Sequence, residues 1–194
     1  PVVVNASGQL GTATGTVAAG PRFVDNGDGT VTDNKTGLMW EKKLAADGRQ
    51  GGSCDNADQV YRSIHCVNYL FVWTSDVVLN SGPHGTLFIV FLETLNRADG
   101  NSSDGQTQDR KNYSDWRVPN IAELKTILVN PCPGNQNPCI DSTFGPTQAS
   151  VYWSSTTNTI SPGLAWVVDF VDGFVDASNK FGDGFFALAV RGGR

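Results

Sequence analysis

Between Phe23 and Trp40 the chain reads FVDNGDGTVTDNKTGLMW. No other stretch narrows the possible folds so far. Short β-prone pieces are interrupted by Asn-Gly, Asp-Gly and Thr-Gly pairs. Glycine reaches the positive φ of tight turns without a steric penalty, so the stretch predicts a meander of two or three strands. The far end of the chain has the same character. Val151–Ser155 reads as one strand. Ala165–Phe170 alternates Trp166, Val168 and Phe170 with Val167 and Asp169, which predicts a strand with one buried face. Gly173 marks a turn, and Phe174–Ala177 and Phe186–Arg191 complete the β region. The N-terminal and C-terminal strands are expected to pair.

Two helices are predicted between these β regions. In Thr86–Asn96 (TLFIVFLETLN), Leu87, Phe88, Phe91, Leu92 and Leu95 recur at helical spacing. Pro119–Val129 begins with Asn120 as N-cap and Glu123 three residues on, the pattern of a capping box. Ile121, Leu124, Ile127 and Leu128 supply its apolar face. Strands at both ends with helices between them predict an α+β domain with a mixed, mostly antiparallel sheet, two helices and long loops. The 194 residues fit one domain, expected over 21–194, with 1–20 as a Gly/Ala/Thr-rich linker or edge-strand extension at Val2–Val4.

Charge excludes some partners. The net charge is −5 and no basic run interleaves with aromatics, so nucleic acid is not an expected partner. No apolar run approaches the roughly 20 residues of a membrane span. The four cysteines, Cys54, Cys66, Cys132 and Cys139, allow three pairings. Their even count and spacing favour Cys54–Cys66 and Cys132–Cys139, closing polar loops that lack apolar contacts. Such bridges imply an oxidising compartment, hence a secreted or cell-surface protein, extracellular or periplasmic.

Several motifs in order carry a family resemblance: FVDNGDGTVTDNKTGLMWEK (23–42), YSDWRVPNIAEL (113–124), YWSSTT (152–157), AWVVDFVDG (165–173) and AVRGG (189–193). Together they resemble the bacterial domain-of-unknown-function family named after the C-terminal domain of the Legionella collagen-like adhesin. The resemblance implies a C-type-lectin-like fold, an extracellular location and a ligand-binding role. The adhesin behind the family name binds sulfated polysaccharides. Here Leu188 stands where the family often carries Arg, and the chain is acidic, so sulfated glycans fit it poorly. Formylglycine-generating enzymes share that fold and need a reactive cysteine pair, which local disulfides would not supply.

Candidate chemistry follows from residue type and place. Asp25, Asp28 and Asp33 would suit a calcium loop, the one cofactor candidate, but the final bidentate Glu is missing and a tight turn explains them better. Trp116 is expected in the core, with Asp115 and Arg117 fixing the loop before the second helix. Trp153 and Trp166 are expected to be buried rather than to stack on sugars. Enzyme motifs are absent: there is no HExxH, P-loop or GxSxG. The leading reading is a non-catalytic adhesin or receptor-binding module taking a glycan or protein ligand at a cell surface. A structural domain of a surface assembly is the alternative. The expected contacts are Asn158, Thr159 and Ser161 in a polar inter-strand loop, with Asp172, Asn179, Lys180 and Asp183 on the last turns, where Phe174, Phe181 and Phe185 interleave.

Overall fold

The computed structural model describes residues 2–4, 10–12, 20–43, 64–76, 82–97, 113–129, 132 and 138–192. β1 (Val2–Val4) and β2 (Leu10–Thr12) form a separate antiparallel hairpin. The predicted meander is β3 (Phe23–Asp25), β4 (Thr30–Asp33) and β5 (Leu38–Glu41). Gly37, at φ 71°, closes the β4–β5 turn and donates its N–H to the Asp33 carbonyl. After β5 the chain passes through β6 (Phe71–Val72) to the helical region.

The first predicted helix is a π-helical segment, Leu87–Leu92, running into one α-helical turn, α1 (Glu93–Asn96). Only Leu87 and Phe91 in it are fully buried. Its entry needs glycine: a Cβ on Gly85 would lie 2.1 Å from the Val72 carbonyl oxygen. The second helix, α2 (Ile121–Thr126), is shorter than predicted but has the predicted capping box. The Asn120 side chain accepts from the Glu123 amide, and a Glu123 carboxylate oxygen accepts from the Asn120 amide, each at 2.9 Å. Arg117 then clamps both Glu123 oxygens at 2.6 Å, and Trp116 is buried beside this clamp.

The C-terminal strands are β7 (Val151–Thr157), β8 (Leu164–Asp169), β9 (Val175–Asn179), β10 (Gly184–Phe185) and β11 (Val190–Gly192). They form three antiparallel groupings. β7–β8–β9 make one sheet, with a bulge in β7 between Trp153 and Thr157. β10 pairs β6. β11 joins the meander in the order β11-β5-β4-β3, with Val190 opposite Trp40, so the expected pairing of N-terminal with C-terminal strands is present, made by β5 and β11. The whole is an α+β architecture of mostly antiparallel sheets.

One expectation fails in an informative way. β8 was predicted to bury one face, but both faces are covered. Tyr152, Val168 and Phe170 face a cluster holding Trp40, Leu124, Phe144 and Leu188. Trp153, Ala165 and Val167 face a second cluster holding Phe71, Trp73, Phe91 and Trp116. Alternation along a strand sorts neighbouring residues to opposite faces, and here each face finds apolar cover. Burying a side chain such as Leu124 or Phe91 stabilises the fold by roughly 1.5–3 kcal/mol. Trp153 is fully buried, whereas Trp166 is only half-buried. The indole N–H of Trp153 donates to the Phe71 carbonyl at 2.8 Å, and that of Trp73 donates to the Ser154 carbonyl at 3.2 Å. These two bonds tie the irregular segment around β6 to β7.

The Cys132–Cys139 disulfide is present, with Cα atoms 5.4 Å apart. The Cys139 amide donates to the Phe170 carbonyl, which fixes this loop against the end of β8. Cys66 is also disulfide-bonded; Cys54, its expected partner, lies outside the described residues. No described helix is long and apolar enough to cross a membrane.

Candidate functional site

The expected contact residues fall at two ends of one sheet. Asn158, Thr159 and Ser161 lie in the β7–β8 loop. Asn179 ends β9, and Lys180 and Asp183 lie in the β9–β10 turn, joined to that loop by the Lys180 amide donating to the Gly163 carbonyl. These six residues share one end. Asp172 lies in the β8–β9 turn at the other end, roughly 16 Å away at the rise per residue of a strand. Its carboxylate accepts from the Phe174 amide.

The six differ in what they offer. Asn158 is a loop brace, its side-chain oxygen accepting from the amides of Ile160 and Ser161 at 2.9 and 3.1 Å. Thr159, Ser161 and Asn179 are exposed. Asp183 accepts from the Ser178 hydroxyl and the Asn179 amide. Lys180, expected on an outward ribbon, is buried. Its ammonium sits 4.1 Å from the centroid of the Trp73 ring and donates to the Thr157 hydroxyl at 2.8 Å. Burial holds its pKa below the ordinary lysine value. A cation over an indole face, with a hydroxyl acceptor, explains how it is kept there. Ile160, between Thr159 and Ser161, is 91% exposed at the loop tip, and Phe181 is exposed in the facing turn.

A groove not foreseen from the sequence opens on the same sheet. Its floor is apolar, from Val151, Val167 and Phe185, and it holds a cavity of about 120 Å³. Phe174 forms one wall, and Asp169, Asp176 and Ser178 supply the polar part. Phe174 is exposed, and Phe185 leans on Trp153 with ring centroids 4.8 Å apart. The register explains the juxtaposition. Val167 pairs with Asp176 and Val151 with Asp169, so these side chains share the face that carries Trp153. The alternation AWVVDF already put Asp169 on the Val167 face. What the sequence did not show was that β10 would come to lie beside it.

Other charged groups are committed to the scaffold. Asp33 is buried and takes two bonds from Arg22. Burial alone would raise its carboxyl, but Arg22, the Lys35 amide and Thr36 hold it below the usual range. Asp25 is held low by Lys42 and the Gly27 amide, and Asp28 accepts from Thr30. The three aspartates considered for calcium thus serve turns and ion pairs. Among the described residues no three His, Cys, Asp or Glu side chains converge to hold a metal ion. Asp115 pairs with Arg191 rather than Arg117, and that contact lowers its pKa. Glu41 is buried, with Lys43 Nζ at 2.9 Å and His65 Nδ1 at 2.7 Å from one oxygen, while the Ala189 amide donates to the other.

An α+β domain of mostly antiparallel sheets, carrying a disulfide and presenting a loop end and a groove from one small sheet, is the class these features define. The chain belongs to the Lcl C-terminal domain family, whose model matches residues 29–191. No curated protein and no solved structure matches it.

Proposed function

We propose that this domain is an extracellular, non-catalytic ligand-binding module of C-type-lectin-like fold, recognising a glycan or protein through β7–β8–β9 and its loops. The observation that carries the reading is the loop end. Thr159, Ile160, Ser161 and Asn179 are exposed together on a sheet whose two faces are anchored in two apolar clusters. A rigid support under a polar tip with one protruding aliphatic group is an arrangement suited to recognition. Family membership supports a surface-associated setting, and the Cys132–Cys139 bond fits an oxidising one. The mutual bonding of Glu41, Lys43 and His65 in the interior supports a scaffold role for these ionisable groups.

The test is a glycan array and a peptide array, probed with and without calcium. The parent domain is expected to retain a defined subset of features. A variant with Asn158→Ala, Thr159→Ala, Asn179→Ala and Lys180→Ala, folded by circular dichroism, is expected to lose them. Retention equal to the parent's would place recognition elsewhere.

A further inference from the structure

We infer that the groove on β7–β8–β9 is a pocket for one basic side chain, a lysine or arginine presented by a protein ligand. The inference rests on the reading of this sheet as the recognition surface and names the chemistry of what it recognises.

Size is the first argument. Sites for drug-sized molecules enclose about 300–1,000 Å³, whereas this cavity is about 120 Å³. That is the size of one side chain. Its floor is apolar, with Val151, Val167 and Phe185 placed to cover a methylene stem, while exposed Phe174 offers a ring at the wall. Long basic side chains bury their stems along apolar surface and keep the charged head near polar groups or an aromatic face.

Charge is the second argument. Asp169 and Asp176 line the groove. Val167 is opposite Asp176, and the Asp169 amide donates to the Phe174 carbonyl, so the two aspartates are diagonal neighbours, a separation of roughly 7–8 Å for such pairs. One oxygen of Asp169 accepts from the Val171 amide and one of Asp176 from the Ala177 amide. The second oxygen of each is left to a ligand. Asp183 adds a further carboxylate at the edge, bonded to the groove's Ser178. Among the described residues no cation lines the groove. Lys180, one residue past β9, lies over Trp73. An apolar slot closed by two carboxylates and an aromatic ring is complementary to a cation on an aliphatic stem, and repels a sulfated or carboxylated ligand.

The test is an amide NMR titration of the whole domain with four probes: N-acetyl-lysine methylamide, N-acetyl-arginine methylamide, the neutral N-acetyl-norleucine methylamide, and a sulfated heparin disaccharide. The cationic probes are expected to saturate with shifts centred on Val167, Asp169, Asp176 and Ser178, and to weaken with added salt. Norleucine is expected to bind at least about tenfold more weakly, since it keeps the stem and loses the charge-assisted bonds. A D169N/D176N variant, folded by its own amide spectrum, is expected to lose the cation preference. Equal binding of norleucine and lysine, or groove shifts from the disaccharide, would overturn the inference, and the first comparison needs only the parent protein. A neutral glycan bound at these strands would refute the charge class while leaving the recognition surface standing. Cationic probes shifting only residues outside the sheet would refute the pocket itself.

Discussion

Glu123 offers the sharpest stability test, because one carboxylate serves both a helix cap and an ion pair. It accepts from the Asn120 amide and from both terminal guanidinium nitrogens of Arg117. Hydrogen bonds to charged groups contribute about 1.5–3 kcal/mol when well shielded. Here the side chains of Arg117 and Glu123 are 41% and 18% exposed, so solvent screening reduces the ion pair to roughly 0.5–1 kcal/mol. Losing the cap adds roughly 0.5–1 kcal/mol. Glu123→Ala should therefore cost about 1–2 kcal/mol, and Glu123→Gln, which keeps an acceptor for the cap, about half of that. Burial raises the Glu123 carboxyl, but Arg117 and the Asn120 amide outweigh it and hold it below the ordinary glutamate range. A carboxyl depressed in the folded state adds stability above its unfolded pKa, and that stability is lost as pH falls through the folded value. Urea denaturation should thus show the Glu123→Gln penalty at pH 7 and a smaller one at about pH 3. A penalty equal at both pH values, or no penalty for Glu123→Ala, would refute the reasoning.

Four further outcomes follow from the structure. Asn120→Ala should cost about 1 kcal/mol in chemical denaturation, because it removes the other half of the capping box. Trp153→Ala should cost about 3–5 kcal/mol by calorimetry or urea, since the indole is fully buried between Phe185 and the Phe71 carbonyl. Replacing Cys132 and Cys139 by Ser should cost roughly 2–3 kcal/mol for a bridge of sequence separation 7, with peptide mapping first confirming the bond. Heparin should bind weakly and lose what affinity it has as salt is raised. Arg191 is paired and Lys180 is buried, and Arg194 lies outside the described residues.

Much of the fold was legible because local rules and tertiary structure agree. The Asn-Gly and Asp-Gly turns fixed the meander, and Asn120 with Glu123 marked the start of α2. The 3.6-residue pattern located the helical region at 87–96 but not its π-helical form, nor the close backbone approach of Gly85 to Val72 at its entry. The two-sided burial of β8 was hidden for a different reason. The cover for Val167 and Trp153 comes from Phe71, Trp73 and Phe91, far away in sequence and in a segment with little periodicity of its own. Lys180 misled because lysine is usually exposed; the positions of Trp73 and the Thr157 hydroxyl make its burial tolerable. The groove was legible in half, since alternation placed Asp169 and Val167 together, while Phe185 arrives through the pairing of β10 with β6.

The central claim is that recognition resides on β7–β8–β9. Hydrogen exchange by mass spectrometry, with and without the best-retained feature of the arrays, tests it most directly. Slowed exchange confined to peptides covering 158–163 and 174–185 is the predicted result. Slowed exchange over 23–41, with none in the C-terminal sheet, would contradict it.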